Sequence, residues 1–285
     1  MNILTFDIED WYHILQNYPG DILKKWDKYE DRINIGVDKI IHSLLEHNIP
    51  ATFFILGYIA EKHPYIVKRI HDHGFEIGAH SNMHKVAYHQ TRDEFEDDLT
   101  VCIKRLENIT GEKVISYRAP GFSIKKKNIW VFDTLAELGI EYDASIFPAL
   151  REDGGFISFN YSEPVILKRD NYMIKEFPMS VSKFLGRRFT ATGGGYFRFF
   201  PYKLIHSIIR RSEYTMTYFH PRDFDPEQPM LEGLSSKRRF KSYYNLSKAY
   251  PKFQRLLRDF DFLDIREASN RINWDEAPIV NLDEI

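Results

Sequence analysis

The 285-residue chain has a single cysteine, Cys102, so no intrachain disulfide can staple it and its stability rests on packing. No run of about 18 apolar residues occurs anywhere, and the opening MNILTFDIEDW lacks the basic start and long apolar stretch of a secretory leader. A cytoplasmic protein with no integral membrane segment is the expectation. Charge of one sign is missing too: Lys+Arg 39 against Asp+Glu 41 leaves a net charge of −2, and no overall field draws the protein to nucleic acid or to an anionic membrane. The basic runs, IKKKN at 124–128 and SSKRRFKS at 235–242, are short and read as solvated faces.

What the chain does have is apolar and aromatic content, 43% and 15%, enough to bury a sizeable core. Short apolar runs alternate with amphipathic patterns. NILTFD, ATFFILG, FEIGAH and VISYRAPG read as buried strands, and GVDKIIHSLLEHN, PYIVKRIHDHG and TRDEFEDDLTVCIKRLENITG between them read as helices. Cys102 lies on the apolar stripe of the last of these with Leu99, Ile103 and Leu106, which marks a buried structural thiol. The repeat continues through NIWVFDTLAELG and IEYDASIF, loosens in a polar, turn-rich excursion after Pro148, and resumes with MIKEFPMSV, PYKLIHSIIRR, YTMTYFH, NLSKAYPKFQRLLRDF and a last strand, FDFLDI. Buried strand, helix, buried strand implies parallel strands with helices outside them, and roughly seven units favour a barrel over an open doubly wound sheet. The predicted architecture is an α/β barrel in one domain over 1–285, with the acidic tail from about 270 only partly ordered.

In such folds functional residues gather where strands end. Here the strand ends carry Asp7, Glu9 and Asp10, then His80 and His84, then Arg118 and Pro120, and finally His220. Each has a bland reading alone: a solvated acidic loop, an incidental pair among eleven histidines, a structural ion pair. Their coincidence on one predicted rim changes the odds. Two imidazoles and one carboxylate leave coordination positions open, the arrangement of a catalytic divalent site.

TFD at 5–7, HSNMH at 80–84, RAP at 118–120 and YFHP at 218–221 stand in the order and approximate spacing of the NodB-homology polysaccharide deacetylases, the fourth carbohydrate esterase family, which the chain resembles from Met1 to about residue 265. TGGGYFR and HPRDFDP look like a subgroup associated with bacterial exopolysaccharide and surface-glycan synthesis. The resemblance implies a distorted (β/α) barrel with the active site at the C-terminal ends of its strands. It further implies hydrolytic removal of an N-acetyl group from a saccharide, and one divalent ion, zinc foremost, with cobalt, nickel or iron as alternatives. Asp7 matches the catalytic base, Arg118 the residue that holds it, His80 and His84 the metal ligands, and His220 the catalytic acid. Pro120 and Tyr196 are implied on the substrate side. Two departures matter. Most members read TFDDG, whereas this chain reads TFDIEDW, so the metal carboxylate is either Glu9 or Asp10. The family's D-x-x-D-W motif is not recognisable, and Glu176, Asp143 or Asp223 stand as candidates to orient His220. Two other readings remain open: a hydrolase of a non-sugar linear or cyclic amide, and an inactive glycan-binding scaffold.

Overall fold

The structure, a computed structural model, describes residues 1–13, 23–151, 154–184, 187–231 and 234–285. Its frame is built from β1 (Asn2–Ile3), β2 (Thr5–Ile8), β3 (Thr52–Ile55), β4 (Glu76–Ala79), β5 (Ser116–Tyr117) and β6 (Tyr142–Asp143). From β2 to β6 each strand pairs in parallel with the next. Every residue of β2 and β3 is buried, including Thr5 and Asp7, and β3 accordingly lacks the polar alternation of a half-exposed strand. The chain then makes an antiparallel hairpin, β7 (Val165–Arg169) and β8 (Tyr172–Glu176), whose second strand adds in parallel to β6. A separate hairpin, β9 (Ser182–Phe184) with β10 (Arg187–Phe189), follows. β11 (Thr215–Met216) lies parallel to β1, and its continuation bridges β2 at Phe6 and Phe219.

β2, β3, β4, β5, β6 and β8, with the segment 215–219 on the outer edge of β2, make seven parallel staves of a distorted barrel. Among the described residues the hydrogen-bond ladder does not close between β8 and that segment. The acidic tail departs from expectation: β12 (Ile279–Asn281) pairs with β7 as the outermost strand of the sheet. FDFLDI departs the other way. It contributes one bridge, Leu263 to Ile3, before the chain turns into a helix, because the N-cap carboxylate of Asp264 accepts the Glu267 N–H and stops the strand.

Helices cover the outside: α1 (Ile33–His47), α2 (Gly57–Lys62), α3 (Pro64–Asp72), α4 (Arg92–Thr110) and α5 (Val131–Glu137), then α6 (Gly194–Phe199), α7 (Tyr202–Arg211), α8 (Ser236–Tyr243), α9 (Ala249–Asp259) and α10 (Ile265–Arg271). α1 buries Ile33, Val37, Ile40, Ile41 and Leu44 against the sheet, each worth roughly 1.5–3 kcal/mol once removed from water. Gly36 interrupts that stripe because a Cβ there would lie 2.1 Å from the Pro221 carbonyl oxygen. The helix therefore sits directly on the turn Pro221–Phe224 that follows His220. α4 starts at a Thr91/Glu94 capping box and ends at Gly111 in the left-handed region. Its buried stripe runs Phe95, Asp98, Leu99, Cys102, Ile103 and Leu106; the acid in that row is taken up below. The Cys102 thiol is fully buried, as expected.

Candidate active site

Three strand ends and one turn meet at the C-terminal rim. Asp7 and Glu9, two residues apart on extended backbone, face the same side, where His80 and His84 arrive from the end of β4. Ligand atoms of Glu9, His80 and His84 all lie within 4.8 Å of one another, and all three residues are buried. The loop between the histidines is strained: Ser81 and His84 adopt φ of 63° and 49°. Asp98 holds it in place, accepting the Asn82 N–H at 2.6 Å and the Met83 N–H at 3.2 Å, while Arg105 reaches the Asn82 Oδ1 at 2.6 Å.

The imidazole tautomers follow from the partners. His80 Nδ1 lies 2.7 Å from the Arg118 carbonyl oxygen and His84 Nδ1 lies 3.0 Å from that of His13. A carbonyl only accepts, so both Nδ1 atoms carry hydrogen and both Nε2 atoms turn to the cluster. His84 Nε2 stands 2.7 Å from Glu9 Oε2, yet Oε2 is buried without a hydrogen-bond partner among the described residues. Lone-pair atoms converging in this way fit a divalent cation, and two imidazoles with one carboxylate are a borderline-soft donor set suited to zinc and its neighbours. Burial pushes His80 down to about 4, keeping it neutral. Burial would raise the Glu9 carboxyl, but His84, His220 and His80 around it hold it well below the usual carboxylate range.

Asp10 does not join this cluster. Its Oδ1 accepts the Trp11 N–H at 2.7 Å and its Oδ2 accepts those of Arg32 at 2.8 Å and Ile33 at 3.0 Å, so it satisfies the open N-terminus of α1. Burial pushes its carboxyl up to about 6, the opposite of Glu9 next door. Of the two carboxylates the sequence left open, geometry therefore favours Glu9 and makes Asp10 a helix cap.

Arg118 is fully buried and fully engaged. Its Nη1 donates to Asp7 Oδ1 at 2.8 Å and to Thr5 Oγ1 at 2.6 Å, its Nε donates to the Ala144 carbonyl at 3.1 Å, and its Cζ lies 4.4 Å from the centre of the Phe54 ring. One residue thus fixes Asp7 through its side chain and His80 through its carbonyl. Pro120 opens the tight turn Pro120–Phe122, buried behind it.

His220 arrives from the far side of β2. Its Nε2 stands 3.2 Å from Glu9 Oε1 and 3.9 Å from Asp7 Oδ2, and its Nδ1 stands 3.1 Å from Asp223 Oδ2. Asp223 in turn faces Arg198 Nε at 3.3 Å, and Arg198 is anchored to the carbonyls of Ser242 and Lys241. Burial works against the charged imidazole, but Asp223, Glu9 and Asp7 outweigh it and raise His220 above its ordinary value. Asp223 is pulled down to about 2: burial opposes, and His220, Arg198 and Arg222 prevail.

The other candidate partners of His220 are used elsewhere. Asp143 accepts the Ser145 N–H and hydroxyl, Glu176 accepts the Ile146 N–H, and burial raises both. Tyr196 stands exposed on α6, just beyond Gly193 and Gly194, where a Cβ at 193 would lie 2.3 Å from the Tyr218 carbonyl oxygen.

Sequence reasoning missed three supporting residues. Asp98 had a signal, an acid on the buried stripe of an amphipathic helix. His13 and Arg198 had none, since a backbone carbonyl and a buried guanidinium acquire their roles through tertiary contact.

The rim of this distorted parallel barrel thus carries a three-donor cluster, an Arg-held carboxylate and an Asp-held histidine. Residues 26–142 match the family model described as polysaccharide deacetylase. Residues 144–270 match a domain of unknown function (DUF3473). The junction falls at β6, and the sheet continues across it through the β6–β8 pairing. His80, His84 and Arg118 lie inside the first match, His220 and Asp223 inside the second, and Asp7 and Glu9 precede both.

The chain is 32% identical over 117 residues to a peptidoglycan-N-acetylglucosamine deacetylase of Bacillus cereus, covering 37% of this chain and 42% of that protein. It is 32% identical over 82 residues to the peptidoglycan-N-acetylmuramic acid deacetylase PdaA of Bacillus subtilis, covering 29% and 31%. It therefore spans less than half the length of these curated relatives. The crystal structure of a putative polysaccharide deacetylase from Mycobacterium smegmatis shares the fold, with a TM-score of 0.64, 18% identity, and coverage of 97% of this chain and 91% of that one. Among the described residues no helix is long and apolar enough to cross a membrane.

Proposed function

We propose that the chain is a divalent-metal-dependent hydrolase that removes the N-acetyl group from an amino sugar of a bacterial surface glycan, exopolysaccharide or precursor. The observation that carries this reading is the convergence of Glu9, His80 and His84 beside two separately supported proton-transfer groups, Asp7 on Arg118 and His220 on Asp223. The relatives named as peptidoglycan deacetylases support the same chemistry.

A divalent ion held by Glu9, His80 and His84, zinc foremost, would supply Lewis acidity toward the acetyl carbonyl and the attacking water. Asp7 takes the water's proton. Its Oδ1 is pinned by Arg118, which leaves Oδ2 as the accepting atom and disfavours any other orientation of the carboxylate. His220 supplies a proton from Nε2 to the departing amine, a poor leaving group until protonated, while Asp223 on Nδ1 keeps the ring charged and oriented. Burial of Asp7, Glu9 and Arg118 keeps bulk water from screening these charges. The test is metal analysis of the purified protein coupled to acetate release from N-acetylated oligosaccharides, with and without chelator. Stoichiometric metal and chelator-sensitive release are expected; acetate release that survives chelation overturns the reading.

A further inference from the structure

Beside the proton-donating flank stands a second guanidinium that the chemistry above does not use. Arg151 lies over three rings, with its Cζ 4.8 Å from the centre of Phe122, 4.9 Å from Phe147 and 5.5 Å from Tyr218, and its Nη1 donates to the Tyr218 hydroxyl at 3.2 Å. The segment that carries it is tied to the rim: Gly155 N–H donates to the Phe122 carbonyl at 3.1 Å and Phe156 N–H to that of Phe147 at 2.8 Å. Gly154 lies so close to the 120–122 turn that a Cβ would sit 2.3 Å from two of its carbonyl oxygens.

Two of these three rings, Tyr218 and Phe122, lead to the site. The Tyr218 ring meets the His220 ring edge-on at 5.8 Å, and the Phe122 ring also carries the Arg118 guanidinium at 5.4 Å. Phe122 holds this place at a cost, with φ of 55°.

Among the described residues no carboxylate lies within ion-pair distance of Arg151; Glu152 and Asp153 lie outside them. The contrast with Arg118 and Arg198 is sharp, because both of those face an aspartate. Arg151 is only partly buried, and among the described residues its guanidinium makes no hydrogen bond besides that to the Tyr218 hydroxyl. A guanidinium packed among aromatic rings and facing no carboxylate among the described residues matches paired anionic oxygens.

We propose that Arg151 is a specificity-determining residue that binds an anionic substituent of the glycan, a carboxylate or a phosphate, on the His220 side of the cleft. This rests on the deacetylase reading, since the acetamido nitrogen must approach His220 and the groups flanking it on the sugar then face Tyr218 and Arg151. The site selects an acidic amino-sugar polymer or a phosphorylated precursor over a neutral chitin-like chain.

The test uses matched N-acetylglucosamine-containing oligosaccharides whose neighbouring sugar is neutral, carboxylated or phosphorylated, with the full-length protein and its Arg151→Gln and Arg151→Lys variants. Titration calorimetry on each pair gives binding independently of turnover, and acetate release gives kcat and KM. The wild type should prefer one anionic ligand over the neutral one by about tenfold. Arg151→Gln should collapse that ratio, Arg151→Lys should retain part of it, and the difference between the carboxylated and phosphorylated arms identifies the substituent. Equal weakening toward neutral and anionic ligands, or no anionic preference in the wild type, overturns the proposal. Arg151-dependent anion binding without acetate release from any ligand would sink the deacetylase reading and leave the anion site standing. Equal melting temperatures of the three proteins guard against a folding artefact.

Discussion

The two flanks of the cleft are built by different means. On the flank proposed to hold metal, Glu9, His80 and His84 sit at strand ends, and the imidazoles are oriented by backbone carbonyls of Arg118 and His13. On the flank proposed to donate the proton, His220 is oriented by a chain of charged side chains, Asp223 and then Arg198, which itself ends on carbonyls near α8. Backbone partners fix position without adding net charge, which suits ligands that must stay neutral. Ionic partners raise the proton affinity of an imidazole, which suits a donor. The two histidine environments are shifted in opposite directions, His80 lowered by burial and His220 raised by Asp223, Glu9 and Asp7 against burial.

The hardest way to break this division is to remove the one acid that touches both flanks. Glu9→Gln is expected to lose bound metal and turnover together, measured by metal analysis and acetate release on the same sample. Full metal occupancy in that variant would return the ligand role to Asp10. Asp7→Asn should separate the two functions: metal stays, and turnover falls by about 10²–10⁴-fold.

Asp223→Asn acts on the acid flank alone. Turnover should fall by about tenfold to a hundredfold with unchanged metal content. Because Asp223 raises His220, its loss should also move the high-pH limb of the rate profile toward lower pH, as the donor deprotonates earlier. An unchanged limb assigns the donor elsewhere. The smallest effect is expected for Asp10→Ala, which uncaps α1. Stability should fall by ~1–2 kcal/mol in chemical denaturation, with metal binding retained.

Much of this was legible before any coordinates. Asp7, His80, His84, Arg118 and His220 do meet at one rim, because parallel strands deliver their ends to the same side. The choice between Glu9 and Asp10 was not made from the sequence, which left both carboxylates open. Asp10 reads as a ligand until α1, more than twenty residues on, presents its open N–H groups. Asp223 was one of three acids open, and only its turn geometry beside His220 separates it from the buried Asp143 and Glu176. β7 and β12 were overlooked for a related reason. Both lie at the outer margin of the sheet, where VILKR and IVN are runs of only five and three residues, too short to stand out as strands.

The lone thiol has a practical corollary. Burial pushes Cys102 up to about 12, and its Sγ lies 3.5 Å from the Ile55 carbonyl, so alkylating reagents meet no thiolate in the native fold. The wild-type protein is a silent background for probe chemistry. Cysteines placed at exposed Leu150 and Tyr196 would take spin labels or fluorophores with no competition from Cys102, and the separation between such probes would report whether these two positions move when a glycan enters.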